Sequence, residues 1–179
     1  GKLYNAYALL AGGRIEAVRF KVDLPNYGVF DEKRVFARGP VPGPVVFKGV
    51  RIGIPVCEDI WTDEVCECLA ETGAEMLLVP NGSPYWHGKN DERVQIALSR
   101  VIETELPLVY LNQVGGQDEL VFDGASFVLN ADRSLAVQMP AFEERVSICT
   151  FERSSDGWAC VNGERIVLPE GDEADYAAA

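Results

Sequence analysis

The sequence predicts an α/β protein built as a layered sandwich, and three observations support this fold class. Two stretches of alternating apolar residues near the start of the chain are separated by a pair of glycines, which is typical of a β-hairpin. Two stretches with apolar residues at helical spacing then alternate with short apolar runs typical of buried strands. Several short strand-like segments joined by turns follow. This order is typical of helices layered on a sheet.

The predicted hairpin is formed by residues 3–10 and 15–22, with Gly12 and Gly13 in the turn. Residues 23–44 are rich in proline, glycine and aromatic side chains and show no regular period. An ordered loop of this length usually has a function, so this segment is a candidate for part of a binding or catalytic site.

Predicted strands and helices alternate from residue 50 onwards. Residues 50–56 alternate like a strand, and Pro55 must lie near its end because proline donates no ladder hydrogen bond. Helices are predicted between residues 62 and 73 and over residues 90–107, the second with Asn90 as its N-cap. The remaining predicted strands are residues 76–80, 108–113, 125–129, 135–139 and 146–152.

Composition and charge exclude several classes of function. Hydrophobic residues make up 47% of the 179 residues and charged residues 25%, an ordinary globular composition. The net charge is −12; residues 1–48 carry 8 basic and 4 acidic side chains, and residues 49–179 carry 8 and 24. Such a field repels nucleic acid and anionic lipid. With no signal peptide pattern and no apolar run near the roughly 20 residues of a membrane helix, a cytoplasmic location is expected.

The five cysteines do not form a metal-binding pattern. An odd number without a secretory signal predicts reduced thiols rather than a disulfide framework. Cys66 and Cys68 lie about 200° apart on a predicted helix and cannot face one metal together. His87 is the only histidine, so no metal site is predicted. Cys149, in a predicted terminal strand, and Cys160 are interpreted as small buried apolar residues.

Cys57 is a candidate nucleophile because of its position between a predicted strand and a predicted helix. Backbone N–H groups at such a corner lower a thiol pKa and bind an oxyanion, although an ordinary buried cysteine also fits there. An activating partner would be His87, which also fits a solvated loop residue, or Lys21, which also fits a solvated strand end. Ser83 lacks the flanking glycines of a nucleophile elbow, which argues against a serine hydrolase.

Three sequence strings resemble those of a known family. Lys21 begins the first, which contains Leu24-Pro-Asn-Tyr-Gly-Val-Phe-Asp-Glu32 and ends at Phe36. The second is Cys57-Glu-Asp-Ile-Trp61, and the third runs from Asn81-Gly-Ser-Pro-Tyr85 to Gly88-Lys89. Together they resemble the nitrilase superfamily, and more narrowly the glutamine-hydrolysing domain of glutamine-dependent NAD synthetases. The resemblance covers residues 3–152 and implies an α-β-β-α sandwich.

The resemblance also implies roles for individual residues. The family uses a Glu-Lys-Cys triad, in which Cys57 would attack the side-chain carboxamide of glutamine and form a glutamyl thioester. Lys21 would stabilise the thiolate and the tetrahedral oxyanion. By motif match, Tyr27, Ser83 and Lys89 would hold the substrate glutamine.

The sequence departs from the family pattern in two respects. The family's general base lies well upstream of the lysine, but the only acidic residue before Lys21 is Glu16, whose side chain would point to the opposite face of the strand. The family's ATP-binding Ser-Gly-Gly-x-Asp-Ser loop is absent. We therefore expect residues 1–168 to be a glutaminase domain that lacks its upstream segment, incomplete at the N-terminal side of the sandwich. Residues 169–179 would be a linker toward a synthetase domain. Glu58 would orient the substrate pocket rather than transfer protons.

The expected partners are glutamine and a synthetase domain of the same chain, and a homo-oligomer is expected. No cofactor is expected in this domain, whereas ATP and magnesium would bind the synthetase domain. An alternative is a free-standing nitrilase-superfamily amidase or carbamoylase, which a reading frame without the Ser-Gly-Gly-x-Asp-Ser loop would indicate. A second alternative is a non-enzymatic scaffold, in which Cys57 would react with alkylating agents no faster than Cys66 or Cys160.

Overall fold

The protein is described by a computed structural model that covers residues 1–163, 165, 166 and 168. Its strands are β1 (Ala6–Ala11), β2 (Arg14–Phe20), β3 (Val45–Phe47), β4 (Val50–Gly53), β5 (Met76–Asn81), β6 (Leu108–Asn112), β7 (Val114–Gln117), β8 (Leu120–Asp123), β9 (Phe127–Leu129), β10 (Leu135–Gln138), β11 (Thr150–Ser154) and β12 (Gly157–Asn162). Its helices are α1 (Glu32–Val35), α2 (Glu64–Glu71), α3 (Lys89–Thr104) and a short 3₁₀ helix, Cys57–Ile60. The predicted α/β class is confirmed.

The largest sheet contains six strands in the order β10-β9-β6-β5-β4-β3. β4, β5 and β6 run parallel, and the other neighbours are antiparallel. Parallel neighbours need a crossover connection, and α2 and α3 provide the two crossovers. Both helices bury apolar side chains in one core cluster, in which Leu69 of α2 and Val101 of α3 pack with Leu77 and Leu108 of the sheet.

The β-hairpins β1–β2 and β11–β12 contribute side chains to two further clusters that involve the same sheet. Leu9 and Ala17 of the first hairpin pack against a cluster that contains Ile52 and Met76, and Phe151 and Trp158 of the second hairpin join it. The sheet therefore packs against the helices in one cluster and against the hairpins in the others.

Several sequence predictions about the elements are confirmed. β1 and β2 form the predicted hairpin, and the turn glycines Gly12 and Gly13 have φ of +58° and +76°. β4 ends at Gly53, so Pro55 lies beyond the ladder as expected. A Cβ at Gly53 would lie 2.7 Å from Leu77 Cδ2 and 3.2 Å from a methyl group of Leu69, so glycine permits α2 to pack closely on β4.

Other predictions about the element ends are wrong. Asn90 does not cap α3, because the helix already begins at Lys89 and its N-cap is Gly88 with φ of +77°. α2 begins at Glu64, after a separate 3₁₀ turn, rather than near residue 62. Cys149 lies before β11, since that strand begins at Thr150. The predicted linker, residues 169–179, lies outside the described residues. In the described part of the chain, no helix is both long and apolar enough to cross a membrane.

Candidate active site

Lys21 directly follows β2 and is buried, with 2% of its surface exposed. Its backbone N–H donates to Asn5 O at 2.9 Å, and its carbonyl accepts from Gly39 N at 2.9 Å. A Cβ at Gly39 would lie 2.5 Å from Phe20 Cβ, so only glycine allows this close approach. The Lys21 ammonium donates to Glu32 Oε1 at 2.8 Å. Lys21 is therefore a fixed internal cation and not a solvated strand-end residue.

Cys57 is the first residue of the 3₁₀ helix and has φ of +51°, a left-handed conformation that is uncommon for a residue with a side chain. Burial raises the pKa of its thiol. The Lys21 ammonium and a hydrogen bond from the Gly82 backbone lower that pKa, whereas the Glu58 carboxylate raises it further. The Lys21 ammonium thus lies near enough to the thiol for its charge to lower the pKa of Cys57.

Tyr27 and Glu58 form a pair beside this thiol. The Tyr27 hydroxyl donates to Glu58 Oε1 at 2.7 Å. Burial raises the pKa of the Glu58 carboxyl, while the Tyr27 hydroxyl and the ammonium groups of Lys21 and Lys89 lower it. Burial also raises the pKa of Tyr27, and the adjacent Glu58 carboxylate acts in the same direction. Two cations, Lys21 and Lys89, therefore act on the Glu58 carboxylate. An open cavity of about 580 Å³ borders the Tyr27–Glu58 pair.

Lys89, the first residue of α3, is a second buried cation, with 3% exposure. Its Nζ lies 4.0 Å from the ring centroid of Trp61 and 3.7 Å from that of Trp86. It also donates to Glu92 Oε2 at 2.9 Å. The two indole faces and one carboxylate stabilise the ammonium, although burial lowers the pKa of Lys89.

Ser83 lies in the loop after β5 and is held by Arg93 of α3. Arg93 Nε donates to Ser83 Oγ at 3.1 Å, and Nη2 donates to Ser83 O at 2.8 Å and to Pro84 O at 3.1 Å. Arg93 Nη1 donates to both carboxylate oxygens of Asp123 at 2.8 Å. The Ser83 N–H donates to Asn112 Oδ1 at 2.9 Å. The loop that carries Gly82 beside the thiol is therefore fixed from two sides.

The predicted site residues thus lie at one place, where the loops that follow β2, β4 and β5 meet. Cys57, Lys21, Glu58 and Tyr27 are linked by the contacts above, Lys89 acts on Glu58, and Ser83 follows the glycine that contacts the thiol. The side chains considered as alternative bases lie elsewhere. His87 is exposed, and Glu16 is exposed on β2 and pairs with Arg14. Within residues 1–163, 165, 166 and 168, no three His, Cys, Asp or Glu side chains form a metal-binding group.

Sequence reasoning missed several residues of this site. Glu32 lies in the string that carries the family resemblance, eleven residues after Lys21, but the string gave no role for it. Trp61 ends the Cys-Glu-Asp-Ile-Trp string, and Trp86 lies in the loop of the third string, so both were visible as motif residues. Arg93 gave no signal, because a cation in the first turns of an amphipathic helix is usually solvated.

This combination of fold and site defines a class of proteins. The sequence profile of the carbon-nitrogen hydrolase family matches residues 1–156. The chain belongs to this family, and the predicted nitrilase-like fold is confirmed.

Particular relatives narrow the likeness to one kind of enzyme. The chain is 54% identical over 176 residues to a glutamine-dependent NAD(+) synthetase of Rhodobacter capsulatus, covering 98% of this chain and 32% of that protein. The solved structure of glutamine-dependent NAD+ synthetase from Acinetobacter baumannii, in complex with ADP, matches with a TM-score of 0.84 and 40% identity, over 90% of this chain and 31% of that one. An amidase of the nitrilase superfamily from Nesterenkonia AN1 matches with a TM-score of 0.62 and 27% identity, over 72% and 47% of the two chains. The chain therefore spans about a third of the length of the synthetases it matches. The narrower family resemblance is confirmed.

Proposed function

We propose that this chain is the glutamine-hydrolysing part of a glutamine-dependent NAD synthetase. The observation that carries the proposal is the buried Lys21 ammonium beside a thiol, Cys57, on a left-handed residue at a strand-to-helix corner. The strong identity to proteins named glutamine-dependent NAD(+) synthetase supports the choice of substrate.

The proposed chemistry is cleavage of the side-chain amide of glutamine through a thioester. The Cys57 thiolate attacks the carboxamide carbon, the carbon–nitrogen bond breaks, and ammonia leaves after it receives a proton. Water then hydrolyses the thioester to glutamate and regenerates the thiol. The Lys21 ammonium and the Gly82 N–H are the cationic and neutral donors available to the developing negative charge. Burial raises the pKa of the thiol, so the reaction needs a base that removes its proton.

The charges around the thiol suit an amino acid substrate. Free glutamine carries an α-carboxylate and an α-ammonium group, and the site offers the Lys89 cation together with the Glu58 carboxylate. We assign Tyr27 and Glu58 to one side of the substrate and Ser83 and Lys89 to the other. In this arrangement Glu58 orients the substrate and Tyr27, in agreement with its hydrogen bond to that hydroxyl.

The ammonia would serve an ATP-dependent amidation of nicotinic acid adenine dinucleotide. We assign that step, with ATP and magnesium, to a synthetase domain, with residues 1–168 as the glutaminase domain and residues 169–179 as the connection. A cytoplasmic homo-oligomer completes the proposal. The ADP bound to the Acinetobacter baumannii protein supports the nucleotide requirement.

The test is Cys57→Ala in the full-length gene product. Glutamine-dependent NAD synthesis is expected to fall to background, because no thioester can form, while synthesis from free ammonium salts stays within about twofold of wild type. The control is Cys68→Ala, which lies on α2 and is expected to preserve both activities. Equal loss of both activities in Cys57→Ala would contradict the proposal. Hydrolysis of simple aliphatic amides faster than glutamine by the wild type would favour an amidase instead.

A further inference from the structure

One carboxylate, that of Asp59, joins the two segments that carry the candidate catalytic groups. Asp59 is fully buried in the 3₁₀ helix, with 0% exposure. Its Oδ1 accepts from Val22 N at 3.0 Å and from Asp23 N at 2.7 Å. Its Oδ2 accepts from Val56 N at 2.8 Å. The three bonds go only to backbone groups, so they fix main-chain positions.

The positions of the three donors are significant. Val22 directly follows Lys21, and Val56 directly precedes Cys57, so each oxygen of the carboxylate holds one of the two segments. A weaker second link lies at the surface, where Thr62 Oγ1 donates to Asp23 Oδ2 at 2.7 Å. The Lys21 segment and the Cys57 corner are otherwise remote in the chain, and both links bring them together from the same side.

We propose that Asp59 is a positioning residue that sets the separation between the Lys21 ammonium and the Cys57 sulfur. The inference rests on the proposed function for its catalytic meaning, but it makes a separate statement about the thiol itself. Because the attraction between the ammonium and a thiolate falls with distance, a shift of either segment weakens the stabilisation of the thiolate. Asp59 touches neither reacting group and acts through the backbone.

Burial makes the charged form of the Asp59 carboxyl less favourable, as its pKa shows. Burial raises its pKa to about 6, the nearby Asp23 carboxylate acts in the same direction, and the three N–H donors lower it. Burying a carboxylate is therefore unfavourable, because the charge loses its contact with water. An aspartate is nevertheless the side chain of this size whose two oxygens can accept hydrogen bonds on both sides.

Asp59→Asn tests this geometry with the smallest possible change. An amide has one accepting oxygen, and its NH₂ group faces N–H donors on the other side. Whichever way the amide turns, it releases either the Lys21 segment or the Cys57 corner. Asp63→Asn is the matched control, since Asp63 is exposed at the start of α2 and its side chain makes no capping hydrogen bond.

The first measurement is the rate of Cys57 alkylation by iodoacetamide against pH, in the full-length gene product, with the modified peptide identified by mass spectrometry. In Asp59→Asn the inflection is expected to rise by about one pH unit, which lowers the rate at neutral pH about tenfold. The second is glutamine hydrolysis, for which kcat is expected to fall by on the order of 10² and KM to change less than about threefold. Asp63→Asn is expected to match the wild type in both.

A residue that only stabilises the fold would behave differently. Asp59→Asn would then unfold at lower denaturant concentration, yet its folded fraction would show the wild-type alkylation profile and kcat, and the proposal would be overturned. If Asp59→Asn does not fold, Thr62→Val decides, since loss of the surface link is expected to slow alkylation about threefold; an unchanged rate would overturn the proposal. If the wild type does not hydrolyse glutamine, the proposed function is refuted. If Asp59→Asn nevertheless shows the expected change in Cys57 alkylation, the positioning role of Asp59 stands.

Discussion

The two buried lysines of the site are stabilised by different means, which suits them to different tasks. Lys21 pairs with Glu32 Oε1, whereas Lys89 lies between two indole rings and also contacts Glu92. Within the described residues, the second oxygen of Glu32 is buried and has no hydrogen-bond partner. Lys21 is therefore fixed by one carboxylate whose second oxygen is unpaired in the described part of the chain, while Lys89 is held by a carboxylate and two aromatic faces.

Replacing Lys21 by methionine tests its contribution to the reaction. Lys21→Met keeps an unbranched side chain of similar size but removes the charge that is proposed to stabilise the thiolate and the oxyanion. The rate of glutamine hydrolysis is expected to fall by on the order of 10² to 10³, as for other lost oxyanion donors, and glutamine binding is expected to change much less. Steady-state hydrolysis and calorimetric binding measure the two effects.

The pH dependence of Cys57 alkylation in Lys21→Met tests separately whether the Lys21 charge lowers the pKa of the thiol. Because the Lys21 ammonium lowers the pKa of Cys57, its removal raises that pKa and reduces the thiolate fraction at every pH below it. The control is Lys2→Met, which removes an exposed lysine remote from the motifs. A wild-type turnover number in Lys21→Met would show that the Lys21 charge does not contribute to catalysis and that this lysine has only a structural role.

At the scale of elements, Arg93 of α3 forms a buried ion pair with Asp123 of β8 and also donates hydrogen bonds to the loop after β5. Arg93→Met would leave the Asp123 carboxylate buried and unpaired and would remove one hydrogen-bond donor from each of the carbonyl groups of residues 83 and 84. The free energy of unfolding is expected to fall by about 3–5 kcal/mol, the usual cost of breaking a buried pair on one side. Urea denaturation followed by circular dichroism measures the change.

An exposed ion pair provides the comparison. Arg38 donates to Glu64 at 2.8 Å, and both side chains are more than half exposed. Arg38→Met is therefore expected to cost no more than about 1 kcal/mol. Equal losses in the two variants would show that the Arg93–Asp123 pair adds little beyond an ordinary surface contact.

The sequence predicted the strands and helices well where apolar residues recur at a regular spacing, and poorly where they do not. The hairpin, the strands of the parallel part and α3 follow from alternation or helical spacing. β7 was missed because its Gly115-Gly116 pair has no side chains to show a period, and its antiparallel partner β8 was missed with it. The predicted N-cap failed because the left-handed Gly88 begins α3 without any side-chain hydrogen bond.

The site was predictable to the extent that it lies in contiguous strings. Cys57, Lys21 and the residues proposed to bind substrate were identified from motif resemblance. The Arg93–Asp123 pair and the hydrogen bonds of Asp59 to Val22 and Asp23 join residues 30 or more positions apart, and no local pattern encodes such contacts. Their partners are known only once the sheet has brought the loops together.

At the scale of the whole molecule, the proposed proton transfer needs a base, and both carboxylates that act on the Cys57 thiol in the described residues already pair with another side chain through one oxygen. Glu32 is engaged by Lys21, Glu58 accepts from Tyr27, and the Glu16 carboxylate is exposed on β2. Residues 1–179 expressed alone are therefore expected to hydrolyse glutamine about 10² to 10⁴ times more slowly than the full-length gene product, the usual worth of acid–base catalysis. Glutamate release at equal concentrations of alkylatable Cys57 measures the ratio.

The full-length gene product carrying Cys57→Ala is the blank for that comparison, because it reports hydrolysis that does not pass through the thiol. Comparable rates from the short and full-length proteins would mean that Glu32 or Glu58 serves as the base. If Glu58 is that base, the role assigned to it as an orienting group is wrong.

The indole rings around Lys89 also give the site an optical signal of its own. The sequence contains three tryptophans, and two of them lie within 4.0 Å of one ammonium group, measured to the ring centroids. The third, Trp158, packs with the cluster between the sheet and the C-terminal hairpin. Two of the three tryptophans therefore lie beside Lys89, so a ligand that binds this lysine is expected to change the intrinsic fluorescence, which can be followed without attaching a dye.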